Sequence, residues 1–155
     1  MFHRQSRKPA FLAVALMLAV CLSACSKDPY TASMAASLDI SNGVNDALTT
    51  LTALRQSDLI TQAEMAQYAT YLGNLTTLNG VFRTSVKTIH SNAAAPKSAY
   101  IAAASTFVVN ANNPTVLAAL HVVNPQAQAK VQTFMLAIST ALNGIQVAIS
   151  QAKGA

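Results

Sequence analysis

The sequence predicts an all-α protein, an antiparallel up-and-down bundle of three long helices plus one or two short ones. Three observations carry this. Large apolar residues recur at spacings of three and four, or sums of these, along three long stretches. No stretch alternates with period two; Phe107-Val108-Val109 and Val122-Val123 are β-prone but too short to demand a strand. Helix-start chemistry, a threonine or asparagine cap followed by glutamate or proline, precedes several of the apolar stretches. Short connections make sequential helices antiparallel neighbours. The alternative is a longer helical hairpin that completes its core by dimerising.

The first helix is expected from about Thr31 to Arg55, with Met34, Leu38, Val44, Leu48, Leu51 and Leu54 as its large apolar residues. Gln56 to Ile60 breaks the pattern. Thr61-Gln62-Ala63-Glu64 is a capping box, with Ile60 and Met65 placed as a hydrophobic staple. The second helix carries Met65, Tyr68, Leu72, Leu75, Phe82, Val86 and Ile89 and should end near Asn92. Pro96 suits the first turn of a third helix with Tyr100, Ala103, Phe107 and Val108 facing inward. Asn113-Pro114 and Asn124-Pro125 repeat one signal, an asparagine cap before a proline at the first helical position. They open a short helix to about Val122 and a long one to about Ala152, the latter carrying Val131, Phe134, Ile138, Leu142, Ile145 and Ile149.

The chain has 155 residues, 52% hydrophobic and 10% charged. That is one domain's length, with too little charge and too much apolar content for charge-driven disorder. Two cysteines, Cys21 and Cys25, exclude a disulfide-rich scaffold and a cysteine-ligated zinc site. The helical faces left to solvent are made of Thr, Asn, Gln, Ser and Ala rather than Lys and Glu, which gives few salt bridges and little repulsion against self-association.

The N-terminus starts with a basic region, Arg4, Arg7 and Lys8, followed by an apolar run from Phe11 to Leu22. Twelve residues are too few for a permanent bilayer span, which needs about 20. They suit the apolar region of an export signal. Leu22-Ser23-Ala24-Cys25 then resembles the lipobox of bacterial lipoproteins. The resemblance covers about the first 25 residues only. It implies cleavage after residue 24 and a fatty-acylated Cys25, whose thiol takes a diacylglyceryl group. Residues 1–24 are then the signal, 25–30 a lipidated tether and 31–155 the helical domain, and Cys21 is discarded. In Gram-negative lipoproteins of this kind, an aspartate directly after the cysteine retains the protein in the inner membrane. Residue 26 is serine and Asp28 comes two places late, so the resemblance implies the outer membrane, facing the periplasm.

Signal removal takes three basic residues and no acid. The mature chain keeps seven basic and five acidic residues, a net charge of +2. With export, that argues against nucleic acid as a partner. All five acids (Asp28, Asp39, Asp46, Asp58, Glu64) precede residue 65, so the first helix is acidic and later ones basic, which favours their neighbouring each other.

Little in the mature chain points to catalysis. His90 and His121 lack a second histidine or a carboxylate at i+3 or i+4, so no metal site is expected, and no cofactor. There is no Gly-x-Ser-x-Gly and no phosphate-cradling glycine loop. Arg83, Lys87 and His90 share one face at the end of the second helix, with Lys97 soon after. They either complement the helix's negative C-terminal end or contact an anionic surface such as lipid headgroups. Asn-Gly pairs precede Val44, Val81 and Ile145 inside long helices, where the glycines Gly43, Gly80 and Gly144 are expected to admit a neighbouring helix. Tyr68, Tyr71, Tyr100, Phe82, Phe107 and Phe134 are core residues or line a cavity for an apolar ligand. The leading expectation is a non-enzymatic structural or interaction module, held to the membrane by its lipid anchor, with a protein partner or self-association. The second is a carrier of a lipid or other apolar small molecule between its helices.

Overall fold

The computed structural model describes residues 28–152. The expected signal sequence, Cys21 and the expected acylation site Cys25 lie outside the described residues. Five helical segments follow in order: α1 Pro29–Gln56, α2 Gln62–Ser91, α3 Lys97–Ala111, α4 Pro114–Ala119 and α5 Pro125–Gln151. The fold is all-α, with three long helices and a fourth, bent member made of α3 and α4; the described residues contain no strand.

Four of the five helices start where backbone donors find a side-chain cap. The α2 capping box is complete: Glu64 N–H donates to Thr61 Oγ1 at 3.1 Å and Thr61 N–H to Glu64 Oε2 at 2.7 Å. Ile60 is buried just before it and Met65 is half-buried against the core. Asn113 and Asn124 cap α4 and α5 through their side-chain oxygens, each with proline at the first helical position. α1 begins earlier than the Thr31 expected. Asp28-Pro29 is a third copy of the Asx-Pro signal, and Asp28 Oδ1 accepts from Thr31 N–H at 3.0 Å. Asp28 to Tyr30 therefore belongs to the folded unit rather than to the tether. Pro96 sits at the cap of α3 instead of inside its first turn. The short helix stops at Ala119, and Val122 is buried from the following loop.

The α1–α2 turn is a Schellman motif. Leu59 N–H reaches Leu54 C=O at 2.9 Å and Asp58 N–H reaches Arg55 C=O at 3.1 Å. This places Asp58 in the left-handed region at φ 54°, where an aspartate is better tolerated than most residues.

Long-range contacts fix the topology. Tyr30 at the start of α1 stacks on His90 at the end of α2. Lys97 at the start of α3 donates to Ser150 C=O at the end of α5. Glu64 at the start of α2 accepts from Val123 N–H just before α5. Sequential long helices are thus antiparallel. α1 packs on α2 and α5, and α3 packs on α2 and α5, which closes a ring of four.

The core stripe of α1 is Ser33, Ser37, Ile40, Val44, Ala47, Leu51 and Leu54, spaced alternately four and three. Leu38 and Leu48, expected inside, point outward at 61% and 37% exposure. Small residues take their place, letting α1 lie close to its neighbours. In α3, Ala104 is buried and the expected Ala103 only partly so. All six large apolar residues expected on α5 are buried, each contributing about 1.5–3 kcal/mol of gross transfer free energy. By length and composition α5 could cross a membrane, yet this stripe faces the bundle core.

The expected close approach at glycines is absent at two of three sites. A Cβ added at Gly80 or Gly144 meets nothing within 4 Å, and one at Gly43 meets Ile138 Cγ1 at an ordinary 3.9 Å. The close contact comes from the residue before one of these glycines. Asn79 is 3% exposed and joins α2 to α1.

Candidate functional site

Three places deserve description: a polar cluster inside the bundle, a groove beside α4, and the basic end of α2. The polar cluster is Ser37, Ser41 and Asn79. Ser37 Oγ donates to Asn79 Oδ1 at 2.8 Å. Asn79 Nδ2 donates to Ser37 C=O at 2.9 Å and to Ser41 Oγ at 3.0 Å. Both amide hydrogens and the amide oxygen are engaged, so the cluster locks helix register and offers no free group for chemistry.

The groove arises from helix lengths. α3 has 15 residues against 30 in α2, so it spans about half the distance at 1.5 Å per residue. Asn113-Pro114 ends it, because proline disfavours a helical conformation in the residue before it. α4 continues the fourth wall beside the remaining half. Between α2, α4 and α5 lies an open groove of about 540 Å³, lined mainly by Tyr68, Tyr71, Leu117, Leu120, Val131 and Met135. A smaller groove of about 330 Å³ lies on the other side of Tyr71, beside Leu78, Asn110 and Val116. Burial pushes both tyrosine hydroxyls above the usual range.

Of the six aromatics expected either in the core or around a cavity, only Tyr68 and Tyr71 reach the grooves. Phe82 stacks on Phe107 with centroids 5.2 Å apart, and Phe134 meets Tyr68 edge-on at 6.0 Å. These rings and buried Tyr100 fill the core.

The third place is the bundle end where α1 begins. Arg83, Lys87 and His90 are exposed along the last turns of α2. The His90 ring lies parallel to Tyr30, 3.8 Å between centroids and 16° between planes. Lys97 is engaged differently: its Nζ caps α5 by donating to the carbonyls of Ser150 and Ala152. Asp28 holds its carboxyl below the usual range through hydrogen bonds from the Thr31 hydroxyl and backbone. The Tyr30–His90 stack and the Lys97 cap join positions 60 and 53 residues apart, and no local spacing rule connects them.

Two further acids, Asp58 and Glu64, also serve structure. Asp58 pairs with Arg55 at 2.9 Å. Glu64 accepts from Thr61 and Val123 N–H, which holds its pKa below the ordinary value, with a small contribution from nearby His121. Among the described residues no group of three His, Cys, Asp or Glu could hold a metal ion. No protein-family model matches the chain, and no curated protein or solved structure matches it with significance.

Proposed function

We propose that the mature protein is a non-enzymatic helical module, held through acylated Cys25 at the periplasmic face of the outer membrane, where it binds a protein partner. The observation that carries the anchor is Leu22-Ser23-Ala24-Cys25, ending three residues before the Asp28 cap of α1. The intervening chain spans about 10 Å when extended, so the anchor would hold the bundle against the bilayer.

The surface chemistry supports an interaction role. Exposed threonines such as Thr49, Thr52, Thr70, Thr84 and Thr133 donate their hydroxyl protons to the carbonyl four residues back. Their donors are satisfied within their own helix, so covering this surface costs less than covering a field of lysines and glutamates. Intact-mass analysis of the membrane fraction tests the anchor. Wild type should carry acyl chains on Cys25, and Cys25→Ser should be unacylated and released from the membrane. Unacylated wild-type protein would refute it.

The groove beside α4 supports a second reading, carriage of an apolar molecule with one polar group able to meet the Tyr68 or Tyr71 hydroxyl. Its 540 Å³ lies in the size range of small-molecule sites. Native mass spectrometry of the Cys25→Ser protein tests this. A reproducible small-molecule adduct lost on Tyr71→Ala supports carriage, and a clean polypeptide mass counts against it.

A further inference from the structure

The exposed bases of α2 gather toward one end of the bundle once the chain folds back on itself. Asp46, Asp58 and Glu64 lie with Arg55 and Lys130 in the half of the bundle around the α1–α2 turn, and Asp28 and Asp39 lie in the other half. Arg83, Lys87, His90 and Lys97 surround the α2–α3 turn, beside the start of α1. This basic cluster therefore lies at the end from which the chain leads back to Cys25.

Helix capping accounts for only part of this cluster. The field of a helix terminus fades within its last turn. His90 lies in that turn, but Lys87 is four residues and Arg83 eight residues from Ser91, roughly 6 and 12 Å along the axis. Neither makes an ion pair among the described residues. They form an exposed basic flank that rises from the anchored end, with the Tyr30–His90 stack at its foot. Tyrosine, with an apolar ring and a polar tip, suits the boundary between headgroups and water.

We infer that Arg83, Lys87 and His90, with Tyr30, form a docking face for the anionic headgroups of the bilayer that holds Cys25. This rests on the anchored reading. The short lead to Cys25 brings the face within reach of the headgroups. The anchor supplies the attachment, and the face sets the tilt of the bundle and leaves the opposite end free for a partner.

Hydrogen exchange on the mature acylated protein in vesicles tests this, after its intact mass has established acylation. In vesicles with 30% phosphatidylglycerol, amides from Arg83 to Lys97 should exchange at least tenfold more slowly than in purely phosphatidylcholine vesicles. Amides of the Gln56–Thr61 turn should exchange alike in both. The protection should disappear at high salt and in Arg83→Glu/Lys87→Glu, whose positions are exposed, and persist in Lys130→Glu at the far half. Equal exchange in the two vesicle types would overturn the docking face while leaving the anchor intact. So would protection seen only in native membranes containing other proteins, which would assign the patch to an acidic protein. An unacylated mass would overturn both readings.

Discussion

Replacing Asn79 with alanine should be among the most damaging single changes available in the middle of α2. Asn79 is 3% exposed and takes part in three hydrogen bonds to α1. At about 1 kcal/mol net each, the loss is roughly 3 kcal/mol. One term offsets it. The Ser37 hydroxyl can turn to the carbonyl four residues back, as Ser33 and Ser41 already do, recovering about 1 kcal/mol. The expected cost is about 2–3 kcal/mol, a substantial share of the 5–15 kcal/mol typical of a domain. The assay is urea denaturation of the Cys25→Ser protein followed by helical circular dichroism. Because Ser37 and Asn79 share one network, Ser37→Ala and Asn79→Ala should be non-additive, with a coupling of about 1 kcal/mol or more. A cost below about 0.5 kcal/mol, or additivity within about 0.3 kcal/mol, would show that the cluster does not hold α1 and α2 in register.

Gly80→Ala and Gly144→Ala should each stabilise the fold by about 1 kcal/mol, since both glycines are helical and an added Cβ meets open space; thermal unfolding that fails to shift upward would contradict the open geometry. Asp58→Gly should also be tolerated or stabilising despite losing the pair with Arg55, because it relieves a left-handed backbone at an exposed pair. Asp28 and Glu64 both have folded pKa values below their ordinary 3.8 and 4.5. Their stabilising contribution is full above those values and is lost as pH falls through the lower folded ones, so unfolding titrations should show stability declining below about pH 4.5, less steeply in Glu64→Gln. Lys97→Met should speed hydrogen exchange in the last turn of α5, whose terminal carbonyls lose their cap; unchanged exchange there would mean the cap is dispensable.

Helix existence, order and most starting points were legible in the sequence because they depend on neighbours within about four residues. The Thr61–Glu64 box, the caps at Asn113 and Asn124, and the strong α5 stripe all have this character. The Asp28-Pro29 start was equally local, and was obscured only because those residues adjoin the lipobox-like Leu22-Ser23-Ala24-Cys25 and read as tether. The basic face of Arg83, Lys87 and His90 was visible as a spacing, but its place beside the start of α1 was not.

The sequence alone determined that this chain forms antiparallel helices, since capping chemistry and apolar periodicity act over single turns. Tertiary structure decided which side of α1 is inside. That helix offers Leu38 and Leu48 on one side and a line of small residues with Ile40, Val44 and Leu51 on another, and hydrophobicity by itself favours neither strongly. The choice falls to close packing and to Asn79, a polar residue whose burial is tolerable only because Ser37 and Ser41, 42 and 38 residues away, meet its amide. Tertiary structure also decided that α3 stops short and leaves a groove beside Tyr71, and that Arg83, Lys87 and His90 come to lie beside the start of α1. Those outcomes depend on which distant surfaces meet, and that is set by packing the whole chain at once.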